Sequence, residues 1–271
     1  EKRAFFLEDA GIFDFAQGAE RHGPPGSGGG GDLMPFFSRR IGLLGGNEVP
    51  VRFGQKLTGK MGRFDVGVLD VQTGELELGG RRIAPSKNLA AARVKANFGS
   101  QSYLGAIFTN GDPTGITSNQ VGGLDLKLAT SNFLGRGKNL SLMMFGSQTR
   151  TTGVEQGDTA FGGEIAFPND LLSMSQKWIR IGENYNPALG FVPRKGVRIS
   201  STSVELRPRP NTRGIRQLSF EFGYNDYYHL AHRASETKEV ELTPFQIFFD
   251  SGEMAEYAYR WNRERLFEPW E

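Results

Sequence analysis

The feature that most constrains this chain is a strict two-residue alternation, held over runs of about ten residues and broken by turn clusters. In "LSFEFGYND" Leu218, Phe220, Phe222 and Tyr224 fall on one side, and Ser219, Glu221, Gly223 and Asn225 on the other. Successive side chains of a strand point to opposite faces, so such a run forms a strand with one apolar and one polar face. The same separation recurs elsewhere. Leu124, Leu126 and Leu128 oppose Asp125 and Lys127, and Val204 and Leu206 oppose Ser203, Glu205 and Arg207. Tyr257, Tyr259 and Trp261 oppose Glu256, Ala258, Arg260 and Asn262, while Ala92, Val94, Ala96 and Phe98 oppose Arg93, Lys95 and Asn97.

Reading the pattern end to end predicts strands over 34–41, 51–60, 63–72, 90–98, 103–109, 121–130, 139–148, 159–167, 175–182, 198–207, 216–230, 236–249 and 253–265. "GGNEVP", "TGELELGG", "NGDPTG", "GRGK", "FPNDL", "RPRPNTRG" and "DSGE" separate them as turns. No helical period competes, and turns this short let each strand pair only with its neighbour, giving an antiparallel meander. "IGENYNPALGFVPRKG", 181–196, breaks the pattern and reads as a connector. Asn186-Pro187 opens a turn, Gly190 supplies a positive φ, Phe191 and Val192 pack on the wall, and Pro193 ends pairing. Glu183 and Arg194 either pair across it or stay solvated.

Two architectures give this alternation. A soluble β-sandwich turns the apolar face inward, whereas an outer-membrane barrel turns it toward lipid around a polar lumen. Alternation alone does not separate them. The barrel is favoured by strands longer than the five or six residues or so usual in sandwiches. Aromatics near strand ends (Trp178, Tyr224, Tyr227, Tyr228, Trp261) and strand glycines such as Gly59, Gly67, Gly105 and Gly123 point the same way. On this reading Arg93, Lys95, Asp125, Lys127, Glu205, Arg207, Glu221, Glu256 and Arg260 face the lumen. Leu124, Leu126, Leu128, Leu218, Phe220, Phe222, Tyr257, Tyr259 and Trp261 face lipid.

Composition excludes some classes. A formal net charge of +2 in 271 residues, with acids and bases interleaved, argues against a nucleic-acid partner. With no cysteine there is neither a disulfide framework nor thiolate zinc. No run of about 18 apolar residues offers a transmembrane helix, which leaves barrel strands open. Residues 1–33 read as an irregular segment with a mobile Gly-rich loop, "GPPGSGGGG", at 23–31. Asp32 and Leu33 stand where a phosphate loop needs Lys and Ser or Thr. The opening "EKRAFFLEDAGIFDF" lacks an initiator Met and an apolar leader core, so the chain reads as the interior of a longer protein.

Several of these phrases carry a resemblance. "EKRAFFLEDAGIFDF", "FFSRRIG", "KLTGKMGRFDVGVLDVQT", "ARVKANFG" with "GAIFTN", "WIRIGENYNPALGFVPRKGVR", and "DSGE" followed by "RERLFEPWE" are similar to a family of bacterial outer-membrane proteins. In that family a periplasmic domain like family 9 carbohydrate-binding modules precedes a large β-barrel of unknown function. The resemblance runs along nearly the whole chain. It departs at "AERHGPPGSGGGG", which is longer and richer in glycine, and at "FLEDAG", where a Gly usually follows the Glu. It implies that 34–271 are the middle strands of a larger barrel, cut at both ends, and it brings no catalytic residues.

The chemistry-bearing clusters have plainer readings. His229 and His232 with Glu236 follow a strand, where positions three apart face opposite sides, so a solvated or interfacial loop is expected and no metal site. His22 is the remaining histidine, and no Ser/Asp arrangement stands beside any of the three. "NGDPTGITSN" is oxygen-rich but lacks calcium-loop spacing and its terminal Glu. Glu205 and Glu221 fall on consecutive strands as a glycosidase pair would, with Arg207, Arg93, Lys95 and Lys127 available to neutralise them. The expectation is therefore a non-enzymatic protein of the bacterial outer membrane, without cofactor. It serves passage, anchoring or assembly, with outer-membrane lipid as partner and a glycan or another outer-membrane or periplasmic protein as further partners. The alternative is a soluble carbohydrate-binding or carbohydrate-active β-protein.

Overall fold

A computed structural model describes residues 10–16, 32–210 and 212–267. The fold is all-β, with 62% strand and no α-helix among the described residues. Twelve strands make one antiparallel sheet: β3 (Val51–Met61), β4 (Phe64–Thr73), β7 (Asn88–Phe98), β8 (Ser102–Asn110), β9 (Asn119–Thr130), β10 (Leu140–Thr151), β11 (Thr159–Pro168), β12 (Leu172–Ile181), β13 (Val197–Leu206), β14 (Ile215–His229), β15 (Ala234–Phe249) and β16 (Met254–Glu264). They lie side by side in sequence order, as the short turns require, and the sheet is open, with β3 and β16 as its edges. Two small hairpins stand apart, β1 (Leu43–Leu44) with β2 (Asn47–Glu48) and β5 (Leu76–Leu78) with β6 (Arg81–Ala84).

Twelve of the thirteen expected strands are present with their ends shifted by at most three residues. The exception is 34–41. Met34 makes a single bridge to Phe191 and Ser38–Arg40 is a 3₁₀ turn, because Pro35 has no N–H to extend a ladder. Inside "TGELELGG", expected as a turn, Leu76–Leu78 pairs with Arg81–Ala84, so β4 takes β7 as its neighbour rather than the next strand in sequence. The hairpin forms because Leu76 and Ala84 bury with Val49 in a small cluster of their own. The 23–31 loop and His22 lie outside the described residues.

The two faces of the sheet differ sharply. Across the ladder, the row Leu104, Leu126, Met144, Gly163, Trp178 is in register on one face. This face carries large exposed apolar side chains from edge to edge, from Leu57 through Phe108, Leu124 and Phe161 to Phe222 and Tyr259, and nothing among the described residues covers it. We call it the bare face. The other, covered face bears Leu69, Val71, Leu89, Ile107, Ile179, Ile181, Val197 and Ile199, all buried. They are covered by an insert made of residues 10–16 and 32–41 and the 182–196 connection. Phe13, Ile41 and Leu189 seal one cluster, and Phe15, Leu33 and Tyr185 another. Each buried Phe or Leu contributes about 1.5–3 kcal/mol.

Candidate functional site

The centre of the covered face is built on the row Asp65, Lys95, Gly105, Asp125, Phe145 and its neighbour Gly67, Arg93, Ile107, Gly123, Ser147. Strand register sets Arg93 on β7 and Asp125 on β9 on the same face, with β8 between them. Gly105 lies between the two side chains, and a Cβ there would come within 2.5 Å of an Asp125 oxygen and 2.6 Å of Arg93 Nη1. The glycine is what lets the pair close over β8. Arg93 donates through Nη1 at 2.6 Å and Nη2 at 2.8 Å to the two carboxylate oxygens, and both side chains are 0% exposed. Asp125 also accepts from the Tyr103 hydroxyl at 3.1 Å and from the main-chain N–H of Ala16 at 3.0 Å. Four donors thus saturate the carboxylate, which a charge in a dry setting demands. The Arg93 guanidinium lies 5.5 Å from the Phe15 ring, and its Nε has no partner.

The ion pair therefore holds the insert as well as the wall. Other polar contacts do the same. Lys177 pairs with Asp32. Asn119 donates to the Asn186 carbonyl at 2.8 Å and accepts from the Ala188 N–H at 3.1 Å. The Ser147 and Tyr185 hydroxyls lie 2.8 Å apart. Burial pushes the Tyr185 phenol well above its ordinary pKa, and the Ser147 hydrogen bond offsets part of that rise. Lys195, on the same connection, is lowered by burial and by the nearby Arg40 charge.

Within the 181–196 connection three expectations change. Gly190 does not adopt a positive φ; that role belongs to Gly196, at +66°. Gly190 is needed because a Cβ there would strike the main-chain oxygens of Met34 and Pro35, where the two parts of the insert bond to each other. Arg194 does not meet Glu183. It donates to Thr237 Oγ1 at 2.8 Å, lies 3.9 Å from Glu236 and covers the Tyr227 ring at 4.5 Å. Val192 packs against the larger cluster, while Phe191 stays exposed beside Phe37.

The polar candidates all lie on the covered side of the ladder. Lys95 sits over the Tyr103 ring at 5.6 Å, and Lys127 is the register partner of Tyr103. Glu205 and Glu221 face each other directly, with the Ser219 hydroxyl 3.3 Å from each and Arg207 Nε 3.4 Å from Glu205. Glu256 accepts from Gln246 at 3.1 Å and Arg260 pairs with Glu241. The apolar candidates lie on the bare face. Leu124 is 61% exposed and Tyr257 58%; Leu128, Phe220, Phe222, Tyr259 and Trp261 are exposed, and Leu126 and Leu218 are half-buried.

At the strand ends His232 stacks on Phe267, while the His229 ring is tilted against His232 and edge-on to Phe267. In "NGDPTGITSN" the Asp112 carboxylate accepts from the Thr114 and Thr117 hydroxyls and from both of their N–H groups, a closed turn. Burial raises the Asp112 pKa, but those four hydrogen bonds outweigh it and hold it below the usual aspartate value. Sequence reasoning missed the insert, Asn119 and Tyr185. The available signal was small residues on the polar face of strands, since Gly67, Gly105 and Gly123 all lie where insert or ion pair needs the room.

No family model matches the chain, and no curated protein or solved structure matches it either.

Proposed function

We propose that the chain is part of the wall of a bacterial outer-membrane β-barrel, non-enzymatic, serving passage, anchoring or assembly there. The observation that carries this reading is the bare face: large apolar side chains stand exposed across all twelve strands of the sheet. A monomeric soluble protein rarely exposes a continuous apolar patch beyond a few hundred Å². In a sandwich this face would meet a second sheet, yet the insert sits on the opposite face.

The bonding of Glu205 and Glu221 to Ser219 and Arg207 supports a structural rather than catalytic use of the two acids. The phrases shared with the carbohydrate-binding-module-linked barrels add glycan handling by a preceding domain to this proposal. Spin labels at positions 220 and 221, in the protein reconstituted in lipid, test it. Position 220 is expected to meet lipid-soluble oxygen and position 221 a water-soluble relaxation agent. A label at 220 shielded from both agents would mean that protein covers the bare face, and the barrel reading would fail.

A further inference from the structure

Beyond the apolar stretch, toward the ends of the strands that carry the 152–158, 182–196 and 230–233 connections, the bare face turns basic. Arg150 on β10 is exposed two rows past Gly146. Arg180 on β12 and Arg198 on β13 are direct register partners, and so are Lys238 on β15 and Arg263 on β16. Like charges placed opposite each other across a ladder destabilise it. Here that arrangement occurs twice, and Arg150, Arg180, Arg198 and Arg263 make no ion pair among the described residues. Arg198 instead lies over the Tyr228 ring at 4.4 Å. Two carboxylates stand near the belt. Asp158 accepts from Gln148 at 3.1 Å and lines a pocket with Arg150. Asp226 is the register partner of Lys238, with one of its oxygens buried without a hydrogen-bond partner. Lys238, Arg263 and Arg265 also line a shallow pocket with Ser235.

Trp178 stands about 7 Å along the strand from Arg180, in the ladder row that leads to Lys238 and Arg263. Phe161 is the register partner of Arg180, so cations and exposed aromatics adjoin along a diagonal of the sheet. A cation belt adjoining apolar surface is complementary to one kind of molecule, an amphiphile with a phosphate headgroup and acyl chains. We infer that this end of the bare face is a docking surface for the phosphate-bearing headgroups of anionic membrane lipids. Their acyl chains would lie along Trp178, Phe161 and Phe222. The inference rests on the proposal that the bare face meets lipid.

The test uses the protein extracted in mild detergent and offered mixed micelles of phosphatidylglycerol and phosphatidylcholine, with retained lipid read by native mass spectrometry. A basic side chain at an anionic surface contributes a factor of about five. The native protein is therefore expected to retain phosphatidylglycerol at least about 25-fold in preference, and R180Q/R198Q and K238Q/R263Q, each removing two factors of about five, to lower that preference about 25-fold each. R216Q, an exposed change at the opposite end of β14, is expected to leave it unchanged. Equal retention of the two lipids by the native protein, or a preference unmoved by both double variants, would overturn the inference. So would full displacement of phosphatidylglycerol by inorganic phosphate, which would mark a free-anion site. If the label at position 220 reports lipid while the preference is absent, only the headgroup surface fails. If position 220 is shielded, the barrel reading fails with it.

Discussion

Replacing Arg93 by Met leaves Asp125 as an uncompensated charge at a position with no access to solvent. Two of its four hydrogen bonds go with the guanidinium, and only those from Tyr103 and Ala16 remain. Breaking a buried pair from one side costs about 3–5 kcal/mol. D125L strands the arginine in the same way and also orphans the Tyr103 hydroxyl and the Ala16 N–H. The double variant R93M/D125L removes both charges and leaves only those two lost hydrogen bonds, about 1 kcal/mol each. It is therefore expected to be more stable than either single variant, at about 2 kcal/mol below the native protein. Denaturant unfolding in the detergent that supports the folded protein gives the three values, and hydrogen exchange at the Ala16 amide reports whether the insert has been released. Exchange there is expected to accelerate in D125L and in the double variant. A double variant that costs the sum of the two single changes would refute the reasoning, because the charges would then be acting independently.

Two further outcomes are expected. Gly123→Leu would place a Cβ 2.9 Å from Phe15 and 3.1 Å from Ile107, so it is expected to expel the 10–16 segment. The adjacent Gly122→Leu meets nothing within 4 Å and is expected to be tolerated. Equal hydrogen exchange of residues 10–16 in the two variants would show that the glycines do not make room for the insert. Asp112, whose folded pKa is depressed, adds stability that is complete above the ordinary aspartate pKa and is lost as pH falls through the lower, folded value. T114V/T117V keeps the burial and removes the hydroxyl donors, so its acid transition is expected to begin at higher pH. Identical melting-against-pH curves would discount the turn's role.

Alternation located the strands because it is a local signal, and each strand declares its two faces within ten residues. The face of Phe220 or Leu124 follows from its neighbours alone. The insert is not local: Ala16 and Asp125 are 109 residues apart, and no period links them. "TGELELGG" and "IGENYNPALGFVPRKG" both looked like punctuation, because Gly and Pro signal a turn without saying what the turn packs against. Tyr185 and Leu189, fully buried, show that the second is a piece of core. Gly190 was assigned to backbone freedom when its role is close approach, a property of two segments that a single one does not reveal.

The insert covers the sheet from β4 to β13 and reaches Tyr227 on β14 and Thr237 on β15 through Arg194, and its hold is made of charges and hydrogen bonds as much as of Phe and Leu. From the end of β13 across β14, β15 and β16 the same face keeps Glu205 beside Arg207, Glu221 bonded to Ser219, Glu241 paired with Arg260 and Glu256 bonded to Gln246, all half-buried or exposed. On the barrel reading these halves have different work. The half under the insert is filled, so nothing passes there unless the insert leaves. The carboxylate-rich half is the part of the interior left to water and solutes, and its sign favours cations. Anchoring needs only the bare face and leaves this division without a purpose, whereas passage uses it. The released-insert variant D125L thus separates the two: passage predicts a larger conductance than in the native protein, and anchoring alone predicts none in either.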